Sequence, residues 1–474
     1  MTCRREREGR GPEAPTQHPP ATIITLARFF HPVAVAKPRP LPYSGRVLLK
    51  FVTRLEDSFY SGTARVLRRS GWRPEVLGFG GLGTTDGARV IARVLMAPTP
   101  FEEKFEAWVK TSGMPTLQEI SEAMDRAHVP AAELFKDAIG TDEADPQVPT
   151  SSTARGERGW RQFLDAQIPY HPVLVQLGDA RKVVRADRGG YVDVPLRGHG
   201  LKPGWHEASV QALDSVAFER GEKRVRASRP ASVPVRIVAR FETHGLVSDV
   251  DDTVMISWLP RPLVAAKNAF ISYVSSRQAV PGMARFLQTV AVALGVSSAQ
   301  AKSASARGEL TAADQGADWV QLRSVPVVYL STGAWNVAPG LRRFLARGAF
   351  PFGLPLMTDW GPSQTGWFRS GREHKRSQLR LLARFFPWVK WVLVGDDGQH
   401  DPTIYAEFAR EFPNQVAAIC IRTLTPAEQV LSHGGPTPQE RLGEVFADVP
   451  PSVPIFIGED GHALLRSVRS CGLL

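Results

Sequence analysis

Cysteine is nearly absent from the chain. Cys3, Cys420 and Cys471 are the three in 474 residues. They are too few and too scattered for a disulfide framework or a cysteine-ligated metal site, so a reducing, cytoplasmic setting is the expectation. Long apolar runs are missing too, and nothing approaches the ~20 residues a membrane-spanning helix needs. The nearest stretch, Ala279 to Val296, is interrupted by Pro281, Arg285 and Gln288, and the spacing of Met283, Phe286, Leu287 and Val290 predicts an ordinary helix. No dense Lys/Arg block, zinc-finger spacing or fixed-period repeat occurs, so nucleic acid is not an expected partner. A signal peptide fits loosely. Arg4, Arg5, Arg7 and Arg10 precede an apolar stretch from Ala21 to Ala36, ending in the cleavage-like Ala34-Val35-Ala36. Glu6, Glu8 and Glu13 spoil its charge pattern, and Arg28, His31 and Pro32 break its core.

What is present is enough apolar material for cores: 43% hydrophobic against 22% charged residues. At roughly 100–200 residues per domain, two to three domains follow. The net charge of +11 suits either an Arg-rich solvated surface or an anionic partner such as a phosphorylated substrate or membrane. Composition and punctuation divide the chain into an irregular segment 1–45, an α+β region with linker 46–160, a β-sandwich-like domain 161–242 and a catalytic domain 243–474. Arg46 to Leu67 and Phe101 to Phe135 read as helices, and Asp137 to Gly159 as a linker. Phe79 to Gly87 reads as a turn-rich loop before a strand, Ala88 to Met96; it lacks the Lys-Ser/Thr of a phosphate-binding loop. Between Val173 and Arg240, short strands at close spacing predict an antiparallel sandwich, with a hairpin turn at Asp187 to Gly190.

After Thr243 the pattern becomes strand–helix alternation: GLVSDV, VPVVYLS, KWVLVGD and VAAICIR are strands with helical patterns between them. That predicts a parallel, doubly wound sheet whose ligand lies beyond the carboxyl ends of its strands. The chemistry is concentrated there. One strand runs into Asp249, Asp251 and Thr253, a DxDxT pattern. Clustered carboxylates repel and need a cation or proton between them; Mg²⁺ suits hard oxygen ligands. An acidic turn capping a helix is the bland alternative. Further strand ends supply Ser331 and then Asp396, Asp397 and Asp401, while Lys375 opens a helix within the basic cluster Arg372, His374, Lys375 and Arg376. Two acidic strand ends, a hydroxyl and a lysine suit phosphoryl transfer through an aspartate.

These elements, in this order, resemble the haloacid dehalogenase superfamily. More closely, SDVDDT, VPGMARFL, VVYLSTGAWN, FPFGLPLMTDWGPS, HKRSQLRLL, VGDDGQHDPTIYAEFA and AICIRTL resemble the phosphatidate phosphatase family typified by the yeast actin-patch enzyme, with its lipin-like catalytic domain. GWRP and the Phe79 to Met96 region look like the N-terminal part of bacterial members. The resemblance implies a Rossmann-like haloacid dehalogenase sheet with helices on both faces, preceded by the β-rich domain. It implies Mg²⁺-dependent dephosphorylation of phosphatidate to diacylglycerol through an aspartyl-phosphate, at a peripheral contact with anionic membrane. By that resemblance Asp249 is nucleophile and metal ligand, and Asp251 is general acid/base and metal ligand. Thr253 braces the turn, Ser331 binds the phosphoryl group, and Lys375 stabilises aspartate and phosphate. Asp396 completes the metal site with Asp397 or Asp401, and Asp401 alternatively caps the following helix. The chain departs from the family at Ser331-Thr332-Gly333-Ala334-Trp335, at Asp397 and in a hydrophilic stretch over Leu294 to Ser324. Two alternatives stay open: the same chemistry on a soluble phosphomonoester, or a lipid- or protein-binding scaffold with a vestigial catalytic half.

Overall fold

The computed structural model describes residues 67, 72–97, 167–222, 228–256, 278–295, 323–358, 371–425, 428–429 and 440–474. The expected helices before Leu67 and over 101–135, the 137–159 linker, residues 1–45, most of the 294–324 stretch, and Asp359 and Trp360 lie outside them.

Seven strands form the β-rich half: β1 (Arg73–Thr84), β2 (Gly87–Ala97), β3 (Pro172–Leu177), β4 (Ala180–Arg185), β5 (Tyr191–Arg197), β6 (Gly204–Ala212) and β7 (Ala231–Val238), with one short helix, α1 (Ser215–Glu219), before β7. They make one mixed sheet in the order β4-β3-β6-β7-β1-β2-β5. All neighbours are antiparallel except β1 and β7, which run parallel. Its two edge strands, β4 and β5, approach each other, so the sheet is nearly closed. Asp187 to Gly190 does turn the chain, through Gly190 N–H to Asp187 O at 3.1 Å, but it joins these two edges rather than the arms of a hairpin.

The expected loop over Phe79 to Gly87 is corrected. Residues up to Thr84 continue β1, and only 85–86 turn. The glycines that read as turn punctuation are there for close approach: a Cβ on Gly81 would lie 2.5 Å from Arg89 O, and one on Gly78 2.5 Å from a Val233 methyl. β2 and the second half of β1 are buried on both faces. Val76, Val90, Ala92 and Val94 fill the core of the β-rich half. Phe79, Leu82 and Ile91 point the other way, into the core of the C-terminal half.

That second half alternates β8 (His244–Ser248), α2 (Met283–Ala293), β9 (Val327–Ala334), α3 (Ala338–Arg347), β10 (Leu354–Thr358), α4 (Gly371–Phe385), β11 (Lys390–Asp396), α5 (Asp401–Glu411), β12 (Val416–Arg422), α6 (Glu440–Phe446), β13 (Ile455–Gly458) and α7 (Gly461–Ser470). Six parallel strands stand in the order β10-β9-β8-β11-β12-β13. The first strand is central, and the chain winds outward first to one side and then to the other. The strand order therefore reverses between β8 and β11, where a doubly wound sheet opens its ligand crevice. Their registers place the carboxyl ends of the two strands side by side, and Asp249 N–H donates to Val394 O at 2.8 Å.

Candidate active site

Two adjacent strand ends deliver the first carboxylates. Asp249 follows β8 directly and Asp396 ends β11, at 1% and 0% exposure. Asp401, also fully buried, is the first residue of α5. Oxygens of these three side chains all lie within 4.8 Å of one another. Into this cluster comes Lys375 from α4, with Nζ 2.7 Å from Asp249 Oδ1 and 2.5 Å from Asp401 Oδ1. Its register is set by two further ion pairs between the same helices, Arg376–Glu407 at 2.6 Å and Arg380–Glu411 at 2.8 Å. Glycine makes the approach of α5 to β11 sterically open: a Cβ on Gly395 would sit 2.6 Å from Asp401 Oδ2. Tyr405 locks the same corner by donating its hydroxyl to Val394 O at 3.0 Å.

Ser331 reaches the site from a bulge in β9, and Thr253 from the turn after β8. The registers of β9 and β10 pair Leu330 with Leu356 and then Ala334 with Thr358, so β9 bulges at Ser331 to Gly333. The bulge turns Ser331 Oγ to donate to Asp251 Oδ2 at 3.3 Å while accepting from Gly333 N–H at 2.9 Å. Thr358 Oγ1 ties the bulge down through Thr332 O at 2.8 Å. Thr253 Oγ1 donates to Asp396 Oδ2 at 3.2 Å. Between them Asp252 takes a left-handed conformation, φ 59°, which Asp tolerates better than most residues.

The charge balance of this cluster is uneven. Three carboxylates against one ammonium leave two negative charges uncompensated out of water. Burial first, then Asp401, raises the Asp249 carboxyl from 3.8 to about 8, with Lys375 opposing. Burial, together with Asp401 and Asp249, pushes Asp396 well above the carboxylate range. Burial alone would depress Lys375, but Asp249, Asp401 and Asp396 together hold its ammonium charged. Asp249 Oδ2, Asp396 Oδ1 and Asp401 Oδ2 are buried with no hydrogen-bond partner. A cluster whose carboxylate oxygens come within 4.8 Å of one another, with one oxygen of each aspartate unpartnered and more negative charge than the lysine balances, fits a divalent cation with hard oxygen ligands.

Asp249, Asp396, Asp401, Lys375, Ser331, Asp251 and Thr253 are thus brought together, while Asp397 turns away. Its Oδ1 accepts from Leu424 N–H at 2.8 Å and its Oδ2 from the Gln429 amide at 3.3 Å. Asp401 does not cap α5; its Oδ1 is taken by Lys375, and the capping position is His400, which makes no side-chain cap. His374 faces the Leu356 carbonyl, 3.5 Å from Nε2. Sequence reading missed Arg422, which ends β12 and donates to Asp252 O at 2.6 Å and to Glu428 at 2.7 Å, clamping the DxDxT turn. Its one sequence signal was an arginine at the end of an otherwise apolar strand.

The chain thus holds a doubly wound parallel sheet of the α/β class, with an aspartate cluster and a lysine at its switch point. Residues 244–423 match the family model described as "Phosphatidate phosphatase APP1, catalytic domain". Phosphatidate phosphatase APP1 of Saccharomyces cerevisiae is 42% identical over 53 residues, 11% of this chain and 9% of that protein. An uncharacterized Schizosaccharomyces pombe protein is 28% identical over 109 residues, 22% of this chain and 18% of its own length. The matches therefore span less than a fifth of each relative. Among solved structures, an FMN-binding beta-glucuronidase from Facaelibacterium prausnitzii covers 81% of this chain and 55% of its own at 10% identity and a TM-score of 0.18, too slight a likeness to bear on fold or function.

Proposed function

We propose that the chain is a Mg²⁺-dependent phosphatidate phosphatase working through an aspartyl-phosphate. The observation that carries this reading is the buried cluster of Asp249, Asp396 and Asp401 around Lys375, in which each aspartate keeps one oxygen without a hydrogen-bond partner. Asp249, Asp396 and Asp401 would hold the cation, with the backbone of Asp251 beside them. When bound, it supplies charge neutralisation for the phosphoryl oxygens and keeps the carboxylates ionised.

Asp249 attacks phosphorus as a carboxylate, forming the Asp–O–P bond as the bond to the glycerol oxygen breaks. Asp251, oriented by the Ser331 hydroxyl, gives its proton to the departing diacylglycerol oxygen. Asp251 then takes a proton from water as that water attacks phosphorus, which releases phosphate and regenerates the Asp249 carboxylate. Lys375 favours the ionised form of the nucleophile before attack, against burial and Asp401, and balances charge on the phosphoryl group after it. The surplus of positive charge over the chain supports a peripheral encounter with an anionic membrane. Among the described residues no helix is long and apolar enough to cross one.

Phosphate release over a panel of phosphomonoesters, with Mg²⁺ or with chelator, tests this reading. Mg²⁺-dependent turnover of phosphatidate in mixed micelles, faster than that of water-soluble phosphates, is the expected result. Preference for a soluble phosphomonoester would keep the chemistry and overturn the substrate. No release from any would return the scaffold alternative.

A further inference from the structure

The β-rich half packs on the catalytic core through several side chains, and one of these contacts bears on Ser331. In β1, Gly78 pairs with Ala92 and Gly80 with Ile91, so Phe79 is the extra residue of a bulge. The bulge turns the Phe79 ring out of its own sheet. It stacks on Trp335 at 4.5 Å between centroids, with the planes 26° apart, and is 1% exposed. Trp335 directly follows β9, four residues after Ser331. From the other side Arg342 of α3 donates Nη1 to Gly78 O at 3.0 Å, fastening the same bulge to the helix that Trp335 leads into. Gly80, at φ +135°, leaves room for Leu354 of β10, whose methyl would lie 2.6 Å from a Cβ there. The run of glycines in FGGLG thus shapes a docking edge against β9, β10 and α3. The connection between the halves is fixed as well. Arg236 and Glu242 form a buried ion pair, Glu242 accepts from Ala239 N–H at 2.7 Å, and Trp388 donates to Ala239 O at 3.2 Å.

We propose that Phe79, with Arg342 as its strut, is a positioning element for the Ser331–Trp335 loop, so that the β-rich half holds part of the phosphoryl-binding site in register. The consequence for catalysis rests on the function proposed above; the mechanical statement does not. Ser331 sits in a bulge with no ladder partner of its own, tied by Thr358 and by the packing of Trp335. Removing the ring under Trp335 loosens that second tie.

The test compares Phe79→Ala and Arg342→Met with Val210→Ala, which opens a cavity in the core of the β-rich half alone. Hydrogen exchange of peptides covering Val327 to Val337 is read in the intact chain, together with kcat and KM for p-nitrophenyl phosphate. Both test variants should speed exchange at Ser331 to Trp335 about tenfold or more, and should raise KM while lowering kcat/KM by a similar factor, as misplacement of a binding group does. Val210→Ala should lower Tm with wild-type exchange there and wild-type KM. Unchanged exchange in both test variants, or an equal change in Val210→Ala, overturns the proposal. If the wild-type chain hydrolyses no phosphomonoester, the functional reading fails on its own and exchange still decides the brace. Should Phe79→Ala not fold, Arg342→Met, which keeps the buried aliphatic stem, carries the same comparison.

Discussion

Lys375→Met removes the one positive charge inside the aspartate cluster while keeping side-chain length. The lysine touches Asp249 at 2.7 Å and Asp401 at 2.5 Å, and none of the three side chains is more than 2% exposed, so solvent screens neither contact. Removing one partner of such a buried pair costs about 3–5 kcal/mol. At ~2–4 °C per kcal/mol for a domain of this size, Tm should fall on the order of 10 °C in chelator. The loss has a pH signature. The lysine stabilises ionised carboxylates only, and without it Asp249 holds its proton to still higher pH than the value of about 8 it has beside the lysine. With Asp249 and Asp396 protonated the lysine has less negative charge to balance, so the deficit against wild type should be smaller near about pH 5 and grow toward about pH 8.5. Thermal melts of both proteins across that range, in chelator, read it directly. A wild-type Tm, or a deficit that does not change with pH, would refute the reasoning that the lysine balances buried negative charge.

The metal-free wild type should itself lose stability as pH rises. Asp249 has its carboxyl raised from 3.8 to about 8, so the folded chain binds more protons than the unfolded one between those values, and stability falls across that window. Saturating Mg²⁺ should flatten the decline, as followed by Tm; a metal-free profile that is level or rises would contradict it. Asp401→Asn should weaken Mg²⁺ binding by about a hundredfold or more in a calorimetric titration, and Asp397→Asn by about tenfold at most, since Asp397 acts on Leu424 and Gln429 rather than on the cluster. Equal losses would erase that distinction. Gly395→Ala should place a methyl 2.6 Å from Asp401 Oδ2 and lower turnover at least tenfold with a smaller effect on KM; wild-type kinetics would show that α5 moves aside without consequence.

The catalytic half was legible because each of its chemical residues sits where an apolar strand stops. GLVS before Asp249 and WVLVG before Asp396 are short buried runs that only a two-sided sheet accommodates, and their order along the chain fixes the doubly wound reading. The choice between Asp397 and Asp401 was not legible. It depends on Lys375, twenty-six residues away in sequence, being brought to Asp401 by the packing of α4 on α5. FGGLG misled for a physical reason: glycine marks turns and close approaches alike, and only the partners Leu354, Arg89 and Val235 show which applies. β4, with Arg181, Lys182 and Arg185, escaped notice because an exposed edge strand carries charge and loses the alternation that betrays a strand. Arg422 escaped because its partners, Asp252 O and Glu428, come together only when β12 stands two strands from β8.

The central claim is that Asp249 carries the phosphoryl group. Borohydride reduces an acyl-phosphate to an alcohol, so a reaction with phosphatidate and Mg²⁺, quenched into borohydride and mapped by peptide mass spectrometry, marks the residue that held it. The account predicts homoserine at position 249, absent when substrate or Mg²⁺ is withheld. Steady phosphate release with position 249 unmodified, or with the mark at another aspartate, would contradict it.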